Sequence, residues 1–380
     1  MKNLRSIAVL RALHLGDLLC AVPALRALRM AYPRARITLI GLPWAAEFVE
    51  RFHGYVDDLM VLPAVPGMPE TAAAGNGRSL DDFLDAARQR HFDLAIQLHG
   101  NGAVSNDLLS RLGAKRHAGF RAAGSIGSGG PNGSDRARFL VWQDVEHEVL
   151  RGLRLLRALG IPAQDAALEF PLTAADDEAL RRSCGDPPAP GSYVCIHPGA
   201  RLPSRRWPPE RFAQVADRLA QRGLRVVLTA TEAERELAAA LEDGMRMPAL
   251  NLAGKTSLGA LGALVAQAAL VVCNDTGISH VAAALGVRSV VVCCGSDPLR
   301  WAPLDRERHR VLAHPIFCRP CAYRDCPIGH PCALNIDADM VMAQAEELLE
   351  AGIEASMEAT PAAGRREPAV SGTARRSVTT

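Results

Sequence analysis

Two short stretches carry side chains whose types and spacing suit chemistry on a phosphorylated ligand. In "VVCNDTGISHVAAALG" an apolar strand runs out at Asn274 and a helix opens near Gly277, so Asp275, Thr276 and Gly277 form the turn at a helix N-terminus. Unpaired backbone amides and the positive end of the helix dipole favour a phosphate there. Gly277 permits close backbone approach, and Thr276, Ser279 and His280 can add donors. The competing reading is that Asp275 or Thr276 only caps the helix. "HPGARLPSRRWPPERFA" places Gly199, Ala200, Arg205 and Arg206 in a basic loop after another strand. If both strands lie in one parallel sheet, the two loops share an edge and together fit a diphosphate. "LTATEAERE" adds Glu232 and Glu234 after a third strand, where a carboxylate can accept hydrogen bonds from ribose hydroxyls or simply open a helix as solvated charge.

A different chemistry is suggested by "LHLGDLLCAVPALRAL", at the junction of the first strand and first helix. A dinucleotide-binding turn would be glycine-rich, but here one glycine precedes a carboxylate, Asp17. Neither strand-to-helix turn carries G-x-G-x-x-G, which argues against a nicotinamide dehydrogenase. Local sequence by itself reads Asp17 as an ordinary helix cap. Farther on, "QLHGNGAVSNDLLSRLGAKRHAGFR" puts His99, Asn101 and Asn106 at a strand end, with Arg111, Lys115, Arg116 and Arg121 nearby, a basic neighbourhood that suits an anionic ligand, although a solvated helix surface explains any one of these cations more simply. "CRPCAYRDCPIGHPC" gathers Cys318, Cys321, Cys326 and Cys332, soft ligands that could enclose a structural zinc ion or remain free thiols.

These residues need a frame, and the apolar pattern supplies one. Bursts such as "SIAVL", "ARITLIG", "DDLMVLP" and "FDLAIQLHG" alternate with helical stretches, the first helix reading from about Val22. That alternation predicts a parallel sheet with helices on both faces. After "HEVLRGLRLLRALG" a Pro-rich segment reads as a connection, and a second alternating series follows through "YVCIHPG", "LRVVLTA", "LVVCND" and "SVVVCCG". The expected organisation is an α/β chain of two tandem Rossmann-like, doubly wound parallel-sheet domains with a cleft between them. Residues 1–172 form the first domain, 173–191 a linker, 192–357 the second domain, which carries both candidate phosphate loops, and 358–380 a disordered tail.

The combination "GDLLCAVPALRAL", "HPGA" with "RRWPPERF", and "NDTGISHVAAALG" resembles glycosyltransferase family 9, the heptosyltransferases of lipopolysaccharide core assembly, over roughly residues 1 to 345. The resemblance implies the GT-B fold and an inverting transfer of heptose from ADP-heptose to a lipopolysaccharide inner-core or related acceptor. It makes Asp17 the base and gives Asp275 the donor sugar's hydroxyls. Thr276 and Gly277 then take the diphosphate, with Arg205 standing where the family often has lysine. Glu232 matches the ribose acid, with Glu234 as its rival. It requires no metal for catalysis. A relative using another nucleotide sugar, or a non-catalytic nucleotide-sugar sensor, is the alternative.

Composition narrows the classes further. Across 380 residues, 43 basic and 41 acidic side chains leave a net charge of +2, which argues against a nucleic-acid binder held by bulk charge. All but Lys2, Lys115 and Lys255 of the basic residues are arginine, a bias that suits phosphate recognition but equally reflects genome composition. The longest apolar runs are too short for a spanning helix, and Arg11 interrupts the first. The expectation is a cytoplasmic protein that meets its lipid-linked acceptor peripherally at the inner face of the membrane.

Overall fold

The computed structural model describes residues 4–72, 77–124 and 138–359. The first unit runs β1 (Ser6–Leu10), α1 (Leu15–Ala31), β2 (Arg36–Gly41), α2 (Ala45–Arg51), β3 (Asp58–Val61) and α3 (Leu80–Gln89). It continues through β4 (Leu94–Gln97), α4 (Ser105–Arg111), β5 (His117–Arg121), β6 (Phe139–Val141) and α5 (Glu148–Ala158). The second unit begins with α6 (Ala174–Cys184), β7 (Tyr193–His197), α7 (Pro209–Gln221), β8 (Arg225–Leu228), α8 (Arg235–Asp243), β9 (Ala249–Asn251) and α9 (Leu258–Ala266). It closes with β10 (Leu270–Asn274), α10 (Gly277–Ala284), β11 (Ser289–Val292), α11 (Pro298–Trp301), β12 (His309–Leu312), α12 (Pro331–Leu334) and α13 (Ala338–Ala359).

Both units form six-stranded sheets, ordered β3-β2-β1-β4-β5-β6 and β12-β11-β10-β7-β8-β9, and the pairings are parallel. The two orders are the same doubly wound pattern, and each reverses direction once, between β1 and β4 or between β7 and β10. Ligands in such sheets bind outside the carboxyl ends of the strands at that reversal. The connections leaving those four strands carry His99, Arg205 and Asp275, with Asp17 in the first turn of the helix that follows β1. Topology alone therefore gathers the residues that sequence chemistry singled out.

Central strands such as β10 (Leu270–Asn274) are wholly buried runs of aliphatic and β-branched side chains, as expected of a sheet covered on both faces. One apolar cluster crosses the boundary between the units, joining Leu19 and Val22 of α1, Leu156 of α5, Ala260 and Leu264 of α9 and Val281 of α10. The segment 173–191, expected to be a linker, contains α6, which packs along α9 and belongs to the second unit's surface. Its Asp176 holds Arg51 of α2 with both carboxylate oxygens at 2.9 Å, tying the units together. Most of the segment expected to be a tail, from residue 360, lies outside the described residues.

Candidate active site

The helix carrying Asp17 begins earlier than the apolar pattern suggests, at Leu15. His14 is its cap, and Asp17 sits one turn in, its Oδ2 accepting the His14 amide at 3.3 Å. Asp17 is therefore not the cap residue but its N3 partner in a capping box, through one oxygen. The other, Oδ1, lies 3.8 Å from the Arg11 guanidinium, and the side chain keeps 21% of its surface exposed.

The turn holding Asp17 abuts the turn of the second unit. A β-carbon on Gly16 would lie 2.7 Å from the His280 ring and 3.5 Å from the Gly277 Cα, and one on Gly277 would touch Leu15 at 3.4 Å. The missing side chain at Gly16 lets the two strand-to-helix turns approach so closely, while at Gly277 a methyl would make only ordinary contact. At α10 neither Asp275 nor Thr276 caps the helix through its side chain; the Ser279 amide turns back to the Thr276 carbonyl at 3.0 Å, which leaves the Gly277 and Ile278 amides for a ligand. The Asp275 carboxylate instead accepts the Ser296 hydroxyl. Burial raises its pKa against the opposing pull of Ser296, Arg205 and Arg319.

Asn274, named by the sequence only as a strand end, is the clamp of this site. Buried completely, it donates to the Pro198 carbonyl at 2.6 Å and accepts the Trp207 amide at 2.9 Å, fixing both ends of the basic loop. Within that loop Arg206 closes onto the Ala200 carbonyl at 2.8 Å, and Arg205 donates to the Cys321 carbonyl at 2.9 Å. The Arg205 Nε is buried without a partner, a donor held ready beside Asp275. Gly199 leaves room for Glu234: a β-carbon there would come within 2.5 Å of its carboxylate.

The two rival acids separate. Glu234 is consumed by a capping box, accepting the Thr231 amide at 3.1 Å and hydroxyl at 2.7 Å. Glu232 projects beside Gly254, at the end of the neighbouring strand β9, and is 69% exposed with Arg235 as its ion-pair partner.

Two expected donor-side residues point elsewhere. The Ser279 hydroxyl is buried and returns to the Thr276 carbonyl at 2.7 Å, as a first-turn serine can. His280 is buried against the first unit, its Nδ1 3.6 Å from the Cys20 sulfur and its ring 6.3 Å from that of Trp301. Burial takes the His280 imidazole down to about 4 from its ordinary 6.5, with Asp17 only partly offsetting it. The unfolded chain therefore takes up a proton here between pH 6.5 and 4 that the folded chain refuses, so stability falls as pH drops through that window. In His280→Gln the melting temperature should depend less steeply on pH over that range than in the wild type. Equal slopes would show that the imidazole is not held neutral.

On the acceptor side His99 takes the Ala12 amide on Nδ1 at 3.2 Å, which leaves Nε2 to donate to Glu70. Asn101 is exposed and its side chain accepts the Ala103 amide at 3.1 Å, shaping the local turn. Asn106 faces inward, donating to the Phe120 carbonyl at 2.9 Å.

The cysteine run does not form the tetrahedral ligand set that its composition allowed. Cys332 is buried in the second unit's core beside Ala333 and Trp207, the Cys321 sulfur lies 3.8 Å from the Ser204 hydroxyl, and the Cys326 sulfur takes the His330 amide. Among the described residues no group of three or more histidine, cysteine or acidic side chains is arranged to hold a metal ion. The Cys321 and Cys326 sulfurs have partners of their own, and no step below uses a metal.

Two Rossmann-like sheets, facing each other through an acid on one and a helix N-terminus with a half-buried arginine on the other, have the layout of a GT-B glycosyltransferase. The match to the family model for glycosyltransferase family 9 (heptosyltransferase) spans residues 82–331, and the chain belongs to that family. Among characterised relatives, lipopolysaccharide heptosyltransferase 3 of Escherichia coli K12 is 26% identical over 358 residues, covering 88% of this chain and 95% of its own. The family 9 glycosyltransferase of Veillonella parvula shares the fold with a TM-score of 0.75 at 22% identity, over 92% of this chain and 99% of that one. ADP-heptose lipopolysaccharide heptosyltransferase II of E. coli does so with a TM-score of 0.69 at 21% identity, over 91% and 99%.

Proposed function

We propose that this family 9 member transfers heptose from ADP-heptose to a lipopolysaccharide inner-core acceptor with inversion at the anomeric carbon. The observation that carries the reading is the contact of the Gly16–Asp17 turn with Gly277, which sets a carboxylate on one unit against a diphosphate-binding helix end on the other. Asp17 takes the proton of the acceptor hydroxyl as that oxygen bonds to the anomeric carbon and the bond from carbon to the diphosphate oxygen breaks. The α10 amides and Arg205 stabilise the charge gathering on the departing ADP. No protein-bound metal is needed for this step. Among the described residues no helix is long and apolar enough to cross a membrane, which accords with peripheral, cytoplasmic-face contact with a lipid-linked acceptor. Similarity to the lipopolysaccharide heptosyltransferases of E. coli supports both the sugar and the acceptor.

Nucleotide release should be seen with ADP-heptose and a heptose-deficient core acceptor together, and not with other sugar nucleotides at comparable concentration. Release from a different sugar nucleotide alone would replace the donor assignment, and release from none would remove the transferase reading. Glu232 is the acid that meets the ribose. Losing a hydrogen bond to a charged group costs about 1.5–3 kcal/mol, so Glu232→Ala should weaken ADP binding roughly 10- to 100-fold. Glu234→Ala should instead lower stability by about 1 kcal/mol through its capping box and leave ADP affinity nearly unchanged. Calorimetric titration of both variants decides between them, and the opposite pattern would exchange their roles.

A further inference from the structure

A single carboxylate joins the two units directly behind Asp17. Glu148, at the start of α5, is 5% exposed, yet it carries three guanidiniums. Its Oε1 accepts Arg11 Nη2 at 3.1 Å, while its Oε2 accepts Arg300 Nε at 2.9 Å and also Arg151 Nη1. Arg11 and Arg151 belong to the first unit, whereas Arg300 lies on α11 of the second. Burial alone would raise the Glu148 carboxyl, but Arg11, Arg300 and Arg151 override it and hold the group at about 2. The buried carboxylate is thereby fixed as an anion with both oxygens in use.

Arg11 carries that fixation to the site. Its Nε donates to the Asp17 main-chain carbonyl at 2.7 Å, Nη1 donates to the Leu98 carbonyl, and Nη2 stands between Glu148 and the Asp17 carboxylate. The first turn of α1 is thus hung on one guanidinium whose direction is set by Glu148. On the other side Arg300 is stacked, 4.6 Å from the Trp301 ring and 5.1 Å from Trp142 of the first unit. Its helix α11 is capped by Asp297, next to Ser296, whose hydroxyl is bonded to Asp275. An unbroken line of contacts therefore runs from the donor-side acid to the acceptor-side acid. It passes through Ser296, α11, Arg300, Glu148 and Arg11.

We propose that Glu148 is a positioning residue for Asp17, acting through Arg11, and that Arg300 of the second unit must engage it for Asp17 to be correctly placed. The reading rests on Asp17 being the base. The pair places the base only when the donor unit sits against the acceptor unit, so turnover depends on a contact that touches neither substrate. Other ionisable groups face this cluster: His14 and Cys20 from α1 and its cap, His147 before α5, His280 from α10, and Glu146, which bonds Arg154 and lies 3.6 Å from Arg151. None of them bridges Arg11 to Arg300.

The test uses the full chain, with ADP release at saturating donor and acceptor measured against pH beside calorimetric ADP affinity. A misplacement of about 1 Å at a reacting group can cost 10²-fold, so Arg300→Gln and Glu148→Gln should each lower kcat by about 10- to 100-fold with ADP affinity within about twofold. The acid limb of kcat should move in opposite directions. Without Arg300, Arg11 is drawn to Glu148 and away from Asp17, and the limb moves to higher pH. Without the Glu148 charge, Arg11 turns to Asp17, and the limb moves to lower pH. Arg300→Lys should restore part of the turnover. A role in folding alone would give neither the opposed limbs nor the rescue. Arg300 is on a half-exposed helix, so its variant keeps the test open where Glu148→Gln fails to fold. Wild-type kcat and an unmoved limb in Arg300→Gln, with Asp17→Asn inactive, would overturn the proposal while leaving the base assignment intact. An active Asp17→Asn enzyme would overturn both.

Discussion

Asp17→Asn is expected to lower kcat by about 10²- to 10⁴-fold, the usual worth of a positioned general base, while ADP affinity stays within about twofold. The amide keeps the shape and an oxygen for the His14 amide, which lies 3.3 Å from the carboxylate. It cannot take the acceptor's proton. Stability should change by less than about 1 kcal/mol, since the capping oxygen is retained and the Arg11 contact that is lost is long, at 3.8 Å. These two readouts separate the role of base from that of cap. A carboxylate that merely capped α1 would show lower stability and ordinary turnover. Steady-state ADP release, thermal melting and calorimetric ADP binding on one preparation distinguish them.

The second large effect is expected at Trp207, which contacts neither substrate in the proposed reaction. Its side chain is fully buried, its ring meets Phe212 edge-on at 4.8 Å, and its indole nitrogen donates to the Ile336 carbonyl at 2.8 Å. Its backbone amide is the group that Asn274 accepts at 2.9 Å. Trp207→Ala opens a cavity at the joint between the basic loop and the core and should cost about 3–5 kcal/mol, measured as a lower urea midpoint at an unchanged slope. ADP binding should weaken as well, because Arg205 and Arg206 hang on that joint. Trp207→Phe should recover most of the loss, since Arg211 also donates to the Ile336 carbonyl. A loss below about 1 kcal/mol in the alanine variant would show that the loop is held by other contacts.

Much of this architecture could be read from the chain because parallel sheets buried on both faces leave continuous apolar runs. β1, β2, β4, β7, β8, β10 and β11 all fall within segments singled out that way. Of the sheet edges only β3, within "DDLMVLP", was legible. β9 and β12 are three and four residues long, and β12 begins with His309 and Arg310, so neither makes a run that stands out from a loop. The start of α1 was misplaced because histidine is its cap and a glycine follows in the first turn, both poor helix signals.

Within the site, Asp17, Arg205, Glu232 and the Asp275–Gly277 turn were legible because strand-to-helix junctions collect at one sheet edge. What each side chain bonds was not. Ser279 and His280 share the motif, but a helix turn carries them away from the N-terminus, one onto its own backbone and the other against α1. The contacts between the units had no local signature: Glu148 and Arg300 are 152 residues apart. Arg11 offered the one hint, a charge in the apolar opening segment that had to be buried or paired, and it is both.

The most direct test of the central claim is the anomeric configuration of the new glycosidic bond, read by NMR of the product formed from ADP-heptose of defined configuration. A single displacement, with the acceptor oxygen activated by Asp17 attacking opposite the departing ADP, predicts that every newly formed linkage is inverted relative to the donor. Retention of the donor's configuration would contradict it.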